Sequence, residues 1–173
     1  VGCLMITLLR HADRVKIACL AQLVNAIAPI MTKTGGPAWR QATFYPFLHA
    51  SRFGRGTVLA AAIDSPRYDT RDFSAVPALE ATAVLDEERG GLTVFAVNRS
   101  PKDSLALSAE LRGFGKLSVA EHLVLSSSDL KAVNGPGSEK VKPQASGGAK
   151  LDGGKLTAQL AAPSWNVIRL APA

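Results

Sequence analysis

A mainly β chain, in which a short α/β segment precedes an antiparallel β-sandwich of jelly-roll-like kind, is the fold class that the 173-residue sequence predicts. Three observations predict it. Up to residue 54 the apolar positions lie in helix-like or continuous blocks; beyond Gly56 the period drops to two; and Gly, Pro, Asn and Asp clusters punctuate the second part at short intervals. Hydrophobic residues make up 47% and charged residues 20%, which excludes a disordered or fibrous chain and suits one domain, or one domain with part of another.

The first block, Val1 to Leu9, is apolar on nearly every face. It is far shorter than the ~20 residues a membrane span needs, and it lacks the basic start and small-residue cleavage site of a signal peptide. It reads as a buried helix cut at its start, so we expect sequence before Val1 and expect the packing partner of residues 1–12 to lie there. Val15 to Ala21 is a short apolar run that fits a strand buried on both faces, as in a parallel sheet, with Gln22 projecting at its end. Thr32 to Pro37 is a loop. Ala38 to Phe53 reads as a helix kinked or restarted at Pro46 and stopped by Gly54. Helix, strand, loop, helix is the grammar of an α/β layer and not of a complete domain.

In the second part, Leu79 to Leu85 and Leu92 to Val97 flank the turn Asp86 to Gly91 and predict a hairpin. Leu105 to Leu111, Leu117 to Leu125, a tight hairpin at Leu151 to Leu156 and a last strand at Trp165 to Leu170 complete a sandwich. Asn134 to Lys150, rich in Gly, Pro, Ser and Lys, reads as an exposed loop.

Few residues suggest chemistry. Cys3 and Cys19 sit in apolar runs and are expected to be buried reduced thiols, which reads as an intracellular or disulfide-independent protein. Asp86, Glu87 and Glu88 share a turn tip, where charge is merely solvated; Glu80, Glu110 and Glu121 fall on strands and are expected on the wet face. His11, His49 and His122 lack metal-ligand spacing and read as structural, His11 at a helix C-terminus. No phosphate loop, nucleophile elbow or metal set is present, so no cofactor and no metal is expected. Asn98-Arg99-Ser100 matches the glycosylation sequon, a pattern short enough to arise by chance. The net charge of +6 is dispersed through every segment, which argues for solubility and against a nucleic-acid partner. Gln22 remains: at the C-terminal end of a parallel barrel strand it would stand where barrel enzymes place their sites, and it would otherwise be a polar residue closing a strand.

The stretches His11 to Asn25, Ile27 to Met31, Ala38 to Gln41, Phe44 to Phe47, His49 to Ser51, Ser65 to Asp69, Phe95 to Arg99 and Ser164 to Leu170 resemble, in order, the later blocks of the α-L-arabinofuranosidases of glycoside hydrolase family 51. Only the Ser126 to Lys150 region lacks such an anchor. The resemblance implies a (β/α)8 barrel followed by a β-sandwich, with residues 1–54 as the end of the barrel and 55–173 as the sandwich domain. It implies a retaining, exo-acting, cytoplasmic enzyme that releases terminal α-L-arabinofuranosyl groups from arabinan, arabinoxylan and arabino-oligosaccharides, is a homo-oligomer at full length (a hexamer being one form), and has neither a membrane nor a nucleic-acid partner. Both catalytic glutamates would lie on earlier strands, so no catalytic residue is expected in this chain. Gln22 matches a glutamine that hydrogen-bonds the furanose. The competing reading is a non-catalytic sandwich used for carbohydrate binding or assembly.

Overall fold

In the computed structural model, which describes residues 1–173, two helices and two stacked antiparallel sheets form three layers. In chain order the elements are α1 (Gly2–Arg10), β1 (Ile30–Thr32), β2 (Ala38–Arg40), α2 (Phe44–Phe53), β3 (Thr57–Leu59), β4 (Arg67–Tyr68), β5 (Val76–Pro77), β6 (Leu79–Asp86), β7 (Gly91–Asn98), β8 (Leu105–Glu110), β9 (Leu117–Ser126), β10 (Gln144–Ala145), β11 (Lys150–Asp152), β12 (Lys155–Leu160) and β13 (Ser164–Pro172). The large sheet runs β10-β9-β13-β7-β6-β3 and the small one β11-β12-β8; β1–β2 and β4–β5 are separate ribbons.

Alternation along the strands divides the apolar residues between two cores. Leu79, Ala81, Leu92, Val94, Ala96, Ile168 and Leu170 face the small sheet and meet Leu107, Leu156, Ala158 and Leu160. Their neighbours Val84, Phe95, Trp165 and Val167 face the other way, onto Met5 and Ile6 of α1 and Tyr45 of α2. A bulge lets β9 serve both cores. Its register skips Ala120 between the pairs Leu170–Val119 and Arg169–Glu121, so Leu117 and Val119 join the first core and Leu123 and Leu125 the second.

The sandwich strands form as their alternation predicts. Four expectations are corrected. The helix expected over 38–53 begins only at Phe44, because Ala38 to Arg40 pairs with β1; Pro46 then falls in the first turn, where its missing N–H costs nothing. No strand forms at 15–21: no backbone N–H from Lys16 to Val24 donates to the backbone, and no other strand of the chain lies alongside to take up a ladder. In consequence Cys19 is exposed and Ile17 is 83% exposed. Third, α1 finds its partner within the chain, on β6, β7 and β3, although Val1 and Leu4 stay exposed.

The last correction concerns Glu80, which is buried instead of wetted. The helix layer covers its face of the sheet, and its carboxylate is paired with Arg10 of α1 and with Arg99 just beyond β7. Arg10 also donates to the Ala81 carbonyl (2.6 Å) and Arg99 to that of Pro77 (3.1 Å), so one carboxylate pins α1 to the sheet. Glu110 is exposed and Glu121 pairs with Arg169 at 3.2 Å. Asn98 is 1% exposed and its amide donates to Asp103, Leu160 and Ala161 carbonyls, so it ties the two sheets together and is closed to glycosylation in the folded chain.

Two histidines are built in as neutral groups. His49 of α2 accepts the Trp165 indole N–H on Nδ1 at 3.0 Å. Asn166 spends its N–H donors on Ser164 Oγ and the Ala96 carbonyl, so its Oδ1 faces His122 Nε2 at 3.2 Å as an acceptor, and that nitrogen carries the proton; His122 Nδ1 is buried without a partner. Burial lowers both pKa values below the ordinary 6.5, opposed at His49 by Glu121 and aided there by Arg52, and opposed at His122 by the Asn166 bond. The unfolded chain therefore binds protons that the folded chain refuses once the pH falls below about 6.5. The expected urea midpoint is level above about pH 7 and declines on acidification from about 6.5 toward the lowered values. Comparison with the His49→Gln, His122→Gln double variant isolates the imidazole part, and identical pH profiles for the two proteins would dismiss it.

Candidate functional site

Gln22 lies on the surface, past the segment that lacks a ladder, with φ +65° and its side-chain Nε2 donating to the Val24 carbonyl at 3.3 Å. The backbone here is concentrated strain. Three of the four non-glycine residues with positive φ in the chain are Gln22, Asn25 and Ala26. Such conformations cost of order 1–3 kcal/mol each and persist where neighbouring contacts over-determine them. The contacts are those of Asn25, which sequence reasoning passed over although Asn is the ordinary side chain to tolerate left-handed backbone. Its N–H donates to the Ile30 carbonyl (2.8 Å), its Oδ1 accepts Thr32 N–H (2.7 Å) and its Nδ2 donates to Thr32 Oγ1 (2.8 Å). The turn is thus stapled to β1.

A neutral amide at such a turn offers two donors and an acceptor to hydroxyl groups without adding charge. No acid accompanies it. The buried carboxylate, Glu80, is consumed by two arginines; Glu87 accepts Thr57 Oγ1 at 2.8 Å at the hairpin tip; Glu139 pairs with Arg40 at 2.9 Å. No set of three or more His, Cys, Asp and Glu side chains is placed to hold a metal ion. Beside the segment, α1 and α2 line a mostly apolar groove of about 420 Å³ with Met5, Leu8, Leu9 and Phe47. Lys16, Ser51 and Arg55 are its polar lining, and it holds no carboxylate. Of the aromatic residues that would form a sugar platform, Phe95 and Trp165 are buried, whereas Tyr68 and Phe73 are exposed around the β4–β5 ribbon. No helix is long and apolar enough to cross a membrane.

The arrangement is a β-sandwich with a helix layer, of the kind found in family 51 glycoside hydrolases. A solved family 51 alpha-L-arabinofuranosidase from Bifidobacterium longum superposes with TM-score 0.91 at 41% identity, over 97% of this chain and 33% of that one. The family 51 arabinofuranosidase of Xanthomonas axonopodis pv. citri gives 0.83 at 26% identity, over 94% and 32%. The profile of the alpha-L-arabinofuranosidase C-terminal domain matches residues 1–164, and the chain belongs to that family. The intracellular exo-alpha-(1->5)-L-arabinofuranosidase of Halalkalibacterium halodurans is 56% identical over 170 residues, 98% of this chain and 34% of the relative; enzyme 1 of that name from Bacillus subtilis is 52% identical over the same shares. The chain therefore spans about a third of the length of the curated relatives it matches.

Proposed function

We propose that this chain is the C-terminal part of a retaining, exo-acting α-L-arabinofuranosidase that removes terminal α-L-arabinofuranosyl groups from arabinan, arabinoxylan and arabino-oligosaccharides. The observation that carries the reading is the 56% identity, sustained over 98% of the chain, to an enzyme named for that activity. That relative is also named intracellular, which supports a cytoplasmic setting. On this reading residues 1–54 are the closing segment of the barrel, 55–173 are the sandwich domain, and the full-length protein is a homo-oligomer.

Retention needs two carboxyl groups about 5 Å apart, one protonating the leaving oxygen and the other attacking the anomeric carbon. Those acids belong to the barrel. Gln22 contributes a neutral contact to the furanose in the negative subsite, where its amide holds a hydroxyl without disturbing the pKa values that divide acid from nucleophile. The strained, stapled backbone at Gln22, Asn25 and Ala26 supports this assignment, because strain of that kind gathers at sites.

In the full-length enzyme, Gln22→Ala removes a neutral hydrogen bond worth about 0.5–1.5 kcal/mol, more where a buried hydroxyl is left unpaired. The expected loss in kcat/KM is roughly three- to a hundredfold, part of it in kcat, since contacts to sugar hydroxyls strengthen in the oxocarbenium-like transition state. The thermal midpoint should stay put because the side chain supports no core. Unchanged kcat/KM, or a loss that follows unfolding, would return Gln22 to a structural role.

A further inference from the structure

We infer that Asn134, in the long loop between β9 and β10, is a positioning residue for the turn that carries Gln22; the inference rests on the sugar contact proposed for Gln22. Asn134 is 3% exposed, although the loop composition predicts open surface. Its side chain is fully engaged. Nδ2 donates to the Arg40 and Val141 carbonyls at 2.8 Å each, and Oδ1 accepts Val141 N–H at 2.8 Å. Of these three bonds, the one to Arg40 crosses from the sandwich loop to the β1–β2 ribbon, beside Gln41 Nε2, which donates to the Asn134 carbonyl at 3.5 Å.

From there the hydrogen bonds lead to the turn. Arg40 is the ladder partner of Ile30, the Ile30 carbonyl accepts Asn25 N–H at 2.8 Å, and Asn25 staples the left-handed turn that opens at Gln22. The Arg40 side chain reinforces the docking through both Glu139 oxygens, at 2.9 and 3.3 Å. A two-stranded ribbon of three residues a side is unstable alone and takes its position from whatever holds its end. Here the holder is a buried amide whose partners are all satisfied, a tighter constraint than a partly exposed ion pair. The sandwich thereby sets the place of a sugar-binding side chain 112 positions earlier in sequence, since three hydrogen-bonded steps lead from Asn134 to Asn25, in the same turn as Gln22.

The test is a double-mutant cycle on kcat/KM of the full-length enzyme with 4-nitrophenyl α-L-arabinofuranoside. Asn134→Ala is expected to reduce kcat/KM by no more than Gln22→Ala does, and the double variant to match Gln22→Ala alone within about twofold, because the two residues act through one contact. A role in stability alone would move the thermal midpoint and leave the two losses multiplicative. Wild-type kcat/KM in Asn134→Ala, or multiplicative losses, overturns the inference while Gln22→Ala remains impaired; a silent Gln22→Ala overturns the sugar contact itself and the inference with it. If Asn134→Ala does not fold, Asn134→Asp takes its place in the cycle, since it keeps the acceptor for Val141 N–H and loses the donors to the Arg40 and Val141 carbonyls, with the same outcomes deciding.

Discussion

Trp165→Ala is expected to destabilise the chain by about 3–5 kcal/mol, the usual cost of emptying a buried aromatic site. Trp165 is 4% exposed, stacks on Phe95 with ring centroids 5.6 Å apart, and gives its indole N–H to His49 across the boundary between sheet and helix layer. It also receives the start of α1: a Cβ on Gly2 would stand 2.7 Å from the indole ring, so only glycine lets the helix come this near. Truncation opens a cavity and strands the His49 acceptor at once. At ~2–4 °C per kcal/mol for a chain of this size, the thermal midpoint should drop by roughly 6–20 °C. Trp165→Phe separates the contributions, keeping most of the packing while losing the hydrogen bond, for about 1–3 kcal/mol. A loss below about 1 kcal/mol for the alanine variant would mean that α1 and α2 are not docked on Trp165.

The 173-residue chain by itself should release no arabinose from an aryl α-L-arabinofuranoside above the spontaneous rate, a difference of at least about a millionfold from a working glycosidase. The reason is geometric. Glu80 is held between two arginines, Glu121 and Glu139 are each paired with one, and the acids at the hairpin tip are solvated, so none of these is free to act in a double displacement. Asp64 and Glu110 line one cavity, but both are exposed and its walls are otherwise mostly apolar, with none of the converging polar groups that would hold a sugar between them. Saturable turnover that co-purifies with the chain, and survives in Gln22→Ala, would show that a pair of acids had been overlooked.

Strand by strand, the legible and the illegible parts of this molecule differ in what covers them. In β12 the residues Lys155, Thr157 and Gln159 are exposed and Leu156, Ala158 and Leu160 buried, so alternation announces both the strand and its faces. In β13, Trp165, Val167, Ile168 and Leu170 are all buried, because this strand lies in the middle of a sheet covered on both sides. A strand can be read from such a run, but not the layer each side chain joins. Glu80 was misplaced for the same reason: alternation assigns it a face, and only the docking of α1 decides that this face is dry.

Near the candidate site the division is sharper. Gln22 stood out through its place after an apolar run and through family resemblance, whereas Asn25 and Asn134, which hold that turn, gave no signal. Their roles depend on residues up to 94 positions away, a separation no local pattern spans. The sequence by itself determined the strands of the sandwich, their turns and the family, since side-chain period and turn chemistry are properties of neighbouring residues. Only the tertiary structure decided which faces are buried, that 15–21 finds no ladder partner within residues 1–173, and which carboxylate is dry. A backbone ladder and a buried charge each need a partner from elsewhere in the chain, and whether that partner arrives is settled by packing and not by local preference.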